Sequence, residues 1–232
     1  PTQYTLLVCG ILLGLSLLLW RSRRCWKSLL LVVPCCALFA MMIGNCFSRD
    51  LVHIALLGTS SAPCLVAWQG EDAVVVFQGG QKAVNEVQDY LDQRRLELKL
   101  VLDIRRSGSE DFWRQADCAV FCLQQIPVGM QTSRQVSDIL VESVAAKNGN
   151  LARLSVGGYS VVLCSGTVYF AQPLHASVWV LGSSGENSDI EAETRIASSN
   201  LAGGDILYGD GEILEIRPGK SVRMIGVSHV DE

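Results

Sequence analysis

The first 47 residues are nearly all apolar and carry one basic interruption. Thr5 to Trp20 form one apolar block and Ser28 to Phe47 a second. Between them runs Arg21-Ser22-Arg23-Arg24-Cys25-Trp26-Lys27, and no Asp or Glu precedes Asp50. A helix needs about 20 mostly apolar residues to cross a bilayer. The second block meets that length, and the first approaches it with Tyr4 suited to the interface. The pattern predicts a membrane helical hairpin over residues 1–48. A signal peptide would place its basic run first and end its short apolar core in small residues, which this order does not do. Pro34 inside the second block reads as a kink. The chain opens on Pro rather than Met, which reads as the C-terminal part of a longer membrane protein.

Short loops rich in Lys and Arg stay in the cytoplasm. Arg21, Arg23, Arg24 and Lys27 therefore set the topology: the connecting loop lies inside, the second helix runs outward, and residues from about 49 onward are extracytoplasmic. Residues 49–232 suit a single domain with its own core. Four of the 19 Lys and Arg lie in the loop and all 23 Asp and Glu follow it, so the domain carries a net of about −8. An acidic domain is a poor general binder of nucleic acid, because phosphate neutralisation drives that binding; local basic patches remain open.

Within the domain, Leu51 to Leu57, Cys64 to Trp68 and the wholly apolar Ala73 to Phe77 read as strands. Gln81 to Arg95 reads as an amphipathic helix, with Ala83, Val84, Val87, Tyr90 and Leu91 on one face. Leu98 to Leu102 and Asp117 to Leu123 are further strands. Arg134 to Ala146 and Ile190 to Ser198 are expected to be helical. Leu151 to Val156, Tyr159 to Cys164, Val168 to Ala171, Val178 to Leu181, Ile206 to Tyr208, Ile213 to Ile216 and Val222 to Val227 complete a mixed α/β layered domain.

Nine Cys are present, with Cys64, Cys118, Cys122 and Cys164 in the domain. Without a Cys-x-x-Cys pair no zinc knuckle is supported, and Cys118 and Cys122 read as small buried apolar residues. The redox state of all four stays open. Gly58-Thr59-Ser60-Ser61 lacks the Lys of a phosphate-binding loop and reads as a plain turn. Ser165, His175 and Asp189 have the residue types of a nucleophile triad but no Gly-x-Ser-x-Gly elbow. Ser188 or Asp189 would cap a following helix.

The order of pieces is membrane helix, basic loop, membrane helix, strand, Gly/Ser turn, strand, turn, buried strand, Gly-Gly, helix, buried strand. It resembles the C-terminal part of the competence DNA-channel family (the ComEC type), in which the last membrane segments lead into a metallo-β-lactamase-like domain. That domain has a Gly-rich turn after its first strand, an Asp-x-Gly after its third, and a His-rich metal motif after the next. Here the turn is Leu56-Leu57-Gly58-Thr59-Ser60-Ser61, the third strand ends Phe77-Gln78-Gly79-Gly80, and Leu100-Val101-Leu102 runs into Asp103-Ile104-Arg105-Arg106-Ser107-Gly108-Ser109-Glu110-Asp111. Gln78, Arg105, Arg106 and Ser109 stand where the family has metal ligands. A two-metal hydrolase needs several imidazoles and carboxylates, and the only His are His53, His175 and His229, none paired at metal spacing.

The resemblance implies a membrane hairpin followed by an α/β domain with a degenerate metallo-β-lactamase-like fold over 49–232. It implies a multi-pass cell-membrane protein that passes single-stranded DNA inward during natural transformation, with a domain that is not an enzyme and has no metal or other cofactor. Implied partners are membrane lipid, single-stranded DNA through the whole protein, and other competence proteins; no small-molecule substrate is identified. Arg105 and Arg106, at a strand end where α/β folds place their sites, are candidate phosphate contacts, against the plainer reading of a solvated loop beside Glu110 and Asp111. The alternative function is a membrane-anchored extracytoplasmic binding module without a channel.

Overall fold

The computed structural model describes residues 51–106, 112–114, 116–182, 188–197 and 206–218, and the backbone of 223–227. The hairpin with Arg21, Arg23, Arg24 and Lys27 lies outside the described residues, as do Ser109, Glu110, Asp111 and His229. Among the described residues no helix is long and apolar enough to cross a membrane.

The domain is a mostly-sheet α/β fold of two seven-stranded sheets. Strands β1 (Val52–Thr59), β2 (Ala62–Gln69) and β3 (Asp72–Phe77) form an antiparallel meander. Helix α1 (Gln81–Arg94) then crosses over, and β4 (Glu97–Asp103) and β5 (Ala119–Cys122) run parallel to β3. The second sheet begins with the meander β6 (Gln131–Val136), β7 (Ile139–Ala145), β8 (Gly149–Val156) and β9 (Tyr159–Gly166). Parallel strands β10 (Leu174–Leu181), β11 (Ile190–Ala197) and β12 (Ile206–Leu207) follow. The chain returns to the first sheet as β13 (Glu212–Ile216) beside β1, with β14 (Arg223–Val227) outside it.

Side chains alternate across a strand, and that alternation divides the core. Ile54, Leu56, Leu65, Val74, Val76, Leu100 and Leu102 face the second sheet, where Ile139, Val141, Leu154, Val161, Leu163, Val178 and Ile196 meet them. The opposite face of the first sheet (Ala55, Leu57, Val66, Val75, Val101) is covered by Ala83, Val84, Val87, Tyr90 and Leu91 of α1. Burial on both faces explains why these strands read as unbroken apolar runs. The helix ends at Arg95, which takes the left-handed conformation while its N–H reaches the Asp92 carbonyl.

Three expectations are corrected. Arg134 to Ala146 is not a helix. It is the β6–β7 hairpin, turning on Ser137-Asp138, with Ser137 at a φ of 53° and Val136 opposite Ile139. Burial alternates residue by residue from Ile139 to Ala145, which is the period of a strand. Ile190 to Ala197 is likewise strand β11, paired in parallel with β10; Glu191 and Glu193 face solvent between less exposed neighbours. Val168 to Ala171 is no strand but part of the extended connection that brings the chain back from the end of β9 to the start of the parallel β10. Among the described residues α1 is the one α-helix.

Candidate functional site

The connections after β1, β3, β4, β9 and β10 converge on one hollow of ≈380 Å³, lined among others by Ser61, Gln78, Gly80, Arg105, Arg106 and Ser165. Sequence reading placed Gln78, Arg105 and Arg106 at equivalent strand ends, and the fold brings them together with Ser165.

The end of β4 is pinned from several sides. Ile104 N–H donates to the Phe77 carbonyl at 2.8 Å. Asn150 Nδ2, from β8 of the other sheet, donates to the carbonyls of Ile104 and Arg105 at 3.1 Å each. Asp103 is 2 % exposed. Arg105 Nε lies 3.0 and 2.9 Å from its two carboxylate oxygens, with Nη2 on the second. The Arg105 backbone N–H adds a fourth contact to Asp103 at 3.0 Å. The guanidinium also lies over Phe112, 4.6 Å from the ring centre. Arg105 is therefore a partly buried cation engaged by the buried Asp103, not a solvated loop residue.

Arg106 differs from its neighbour. It is exposed, lines the hollow, and makes no ion pair among the described residues. Its side chain runs past Gly166, where an added Cβ would meet Arg106 Cδ at 2.8 Å. Gly166 also has a φ of +99°, a conformation open to glycine.

The remaining candidates separate. Ser165 is in the hollow, but His175 is 78 % exposed and pairs with Glu191 at 3.2 Å. Asp189 accepts from Phe170 N–H at 3.3 Å. The three form no triad. Ser188 and Asp189 cap no helix; Ser188 Oγ instead accepts from Val168 N–H at 3.0 Å, closing the 167–173 connection. His53 sits at the start of β1, stacked on Trp68 and bonded to Glu215 at 2.9 Å. Burial pushes the Glu215 carboxyl up, and Arg217 and His53 more than offset it, holding it below the usual range. The turn at Thr59–Ser61 is a structural clasp. Ser60 N–H and Oγ–H both donate to Asp210 Oδ1, at 2.7 and 2.9 Å, so these donors are already taken.

Cys64 and Cys164 are buried free thiols. Burial pushes them up to about 11 and about 12, leaving both protonated and inert at neutral pH. Cys118 and Cys122 are half-buried rather than core residues, a further correction.

The described residues contain no cluster of three His, Cys, Asp or Glu able to hold a metal. The buried carboxylate at the end of β4 faces a guanidinium, and the hollow's other polar groups among the described residues are an amide, hydroxyls, Arg106 and the Cys164 thiol, which burial keeps protonated. This donor set does not fit the metal ions that a lactamase-like fold implies. Sequence reading missed Asn150 and Phe112, whose roles depend on contacts across the fold.

No protein-family model matches the chain, and no curated protein matches it. Among solved structures it is similar in part to the metallo-beta-lactamase fold protein YhfI from Bacillus subtilis, at 9 % identity and a TM-score of 0.38, covering 56 % of this chain and 70 % of that one.

Proposed function

We propose that this chain is the C-terminal portion of a membrane channel for uptake of single-stranded DNA in natural competence. In this reading its two-sheet domain is a catalytically inactive, lactamase-like module outside the cytoplasmic membrane. The apolar blocks flanking Arg21, Arg23, Arg24 and Lys27 support the membrane part, with lipid as the first partner. The layered sheets, with a hollow at the strand ends, support the lactamase-like part.

The observation that carries the non-enzymatic half is the Asp103–Arg105 fork. Hydrolysis by a metal pair needs carboxylates and imidazoles free to bind cations. At this position the chain instead supplies its own cation, already balanced by the buried carboxylate. Loading the full chain with zinc or manganese, followed by metal analysis and a single-stranded DNA cleavage assay, tests this half. The expected result is no stoichiometric metal and no cleavage above the blank. Tightly held ions together with turnover would overturn it.

Deleting the reading frame in its host and following labelled DNA into the cytoplasm tests the transport half. Entry should be lost, and further apolar spans should be encoded upstream of Pro1. Undiminished entry would leave a membrane-anchored binding module without a channel.

A further inference from the structure

Where the lactamase-like reading would seat metal ions, this chain presents polar donors and one exposed arginine that makes no ion pair among the described residues. We infer that the hollow at the ends of β3, β4 and β9 is an oxyanion site that holds a phosphate group of a single nucleic-acid strand on protein donors, with Arg106 as its principal contact. The choice of strand rests on the DNA-uptake reading above; the choice of oxyanion does not.

Charge comes first. No carboxylate lines the hollow among the described residues. Arg105 is balanced by Asp103, and Arg106 has no such counterpart among the described residues. A guanidinium matches phosphate geometry with a planar fork of donors.

A second donor stands beside it. Gln78 Nε2 is buried without a hydrogen-bond partner among the described residues. A Cβ at Gly182 would lie 3.0 Å from that nitrogen, so the glycine keeps this wall open. Leaving a buried donor unsatisfied is costly, and an anion in the hollow would satisfy it. Helix α1 opens at the same wall. Its cap residue Gly80 offers no side-chain partner, and its first turn holds no acidic residue. Free backbone N–H groups at a helix start favour an anion, here as an addition to the two side chains.

The arrangement is also rigid. Asn150 holds the backbone at Ile104 and Arg105, and the stem of Arg106 lies against Gly166. A preorganised donor loses little freedom on binding.

A polymer suits the surface better than a lone phosphate. A second hollow of ≈450 Å³ shares Arg106 and carries Lys147, with Ile126 and Val128 on its wall. Val128 is 68 % exposed. Cations beside exposed apolar surface suit a strand, charge meeting the backbone and apolar groups meeting the bases.

The test uses the full chain in lipid nanodiscs. Fluorescein-labelled oligothymidylate binding is read by anisotropy across a salt series, and inorganic phosphate by its effect on the melting temperature. Arg106→Gln keeps the stem and removes the charge. Lys99→Ala, at the far end of β4, is the control. The expected result is oligothymidylate binding that Arg106→Gln weakens about tenfold, with a salt slope smaller by about one, while Lys99→Ala behaves as wild type. Phosphate should raise the melting temperature of the wild type more than that of Arg106→Gln.

If Arg106→Gln binds the strand as tightly as wild type, the inference fails and the DNA-uptake reading stands. If phosphate stabilises the wild type through Arg106 but the strand does not bind, the oxyanion site stands and the DNA-uptake reading fails. If neither ligand binds the wild type, the inference is overturned outright.

Discussion

Asp103 and Arg105, two residues apart at the end of β4, form a forked ion pair closed on one side by the protein core and on the other by the ring of Phe112. Two residues apart on an ideal strand would share a face. Here the chain has left β4 by Ile104, and the pair closes across a turn whose own N–H also caps the carboxylate.

Removing one partner of such a pair strands a buried charge. Arg105→Ala should destabilise the protein by about 3–5 kcal/mol, read as a shift in urea midpoint. The double variant Asp103→Leu with Arg105→Met should recover most of that loss, because an apolar pair of similar size carries no desolvation cost. A single-variant loss below about 1 kcal/mol would mean that Asp103 has another partner or reaches water.

Asn150 ties the β4 end to the second sheet. Asn150→Ala leaves one buried and one part-buried carbonyl without this donor and should cost about 1–3 kcal/mol. Asn150→Asp should cost more, because it aims a carboxylate at two carbonyl oxygens. Thermal melts of the two variants side by side check the order; equal melting temperatures would show that water replaces the amide at no cost.

Cys64 and Cys164 should resist alkylation well past neutral pH. The thiolate is the reactive form, and burial lifts these thiols from the usual 9.0 to about 11 and about 12. A raised acid holds its proton longer when folded than when unfolded. Its contribution to stability is therefore complete below pH 9 and is lost as the pH climbs through about 11 to 12. Mass mapping after native iodoacetamide treatment should find both peptides unmodified at pH 8 and labelled once denaturant is added. Rapid native labelling would show that the core around them opens.

The strands of the first sheet were legible because burial on both faces left runs such as Val74-Val75-Val76 with no polar residue to misplace. Helix α1 was legible because its five buried positions follow one face of a 3.6 period. The β6–β7 hairpin was not. Its turn is Ser137-Asp138 rather than a Gly pair, and a polar strand at a sheet edge lacks the apolar alternation that separates strand from helix. In β11, Glu, Ala and Arg are good helix formers, and pairing with β10 overrode that preference.

The sequence by itself determined the apolar hairpin pattern, the layered α/β character of the domain and the lack of paired histidines, because these are properties of composition and local spacing. It also put Gln78, Arg105 and Arg106 at strand ends. Only the tertiary structure decided that Arg105 is neutralised by Asp103 while Arg106 makes no ion pair among the described residues, that Asn150 reaches across from the other sheet to hold the backbone at Ile104 and Arg105, and that Ser165 joins the two arginines while His175 does not. The ion pair depends on how the chain turns as it leaves β4, and the rest on contacts between residues tens of positions apart, which the packing of one sheet on the other brings within hydrogen-bond range.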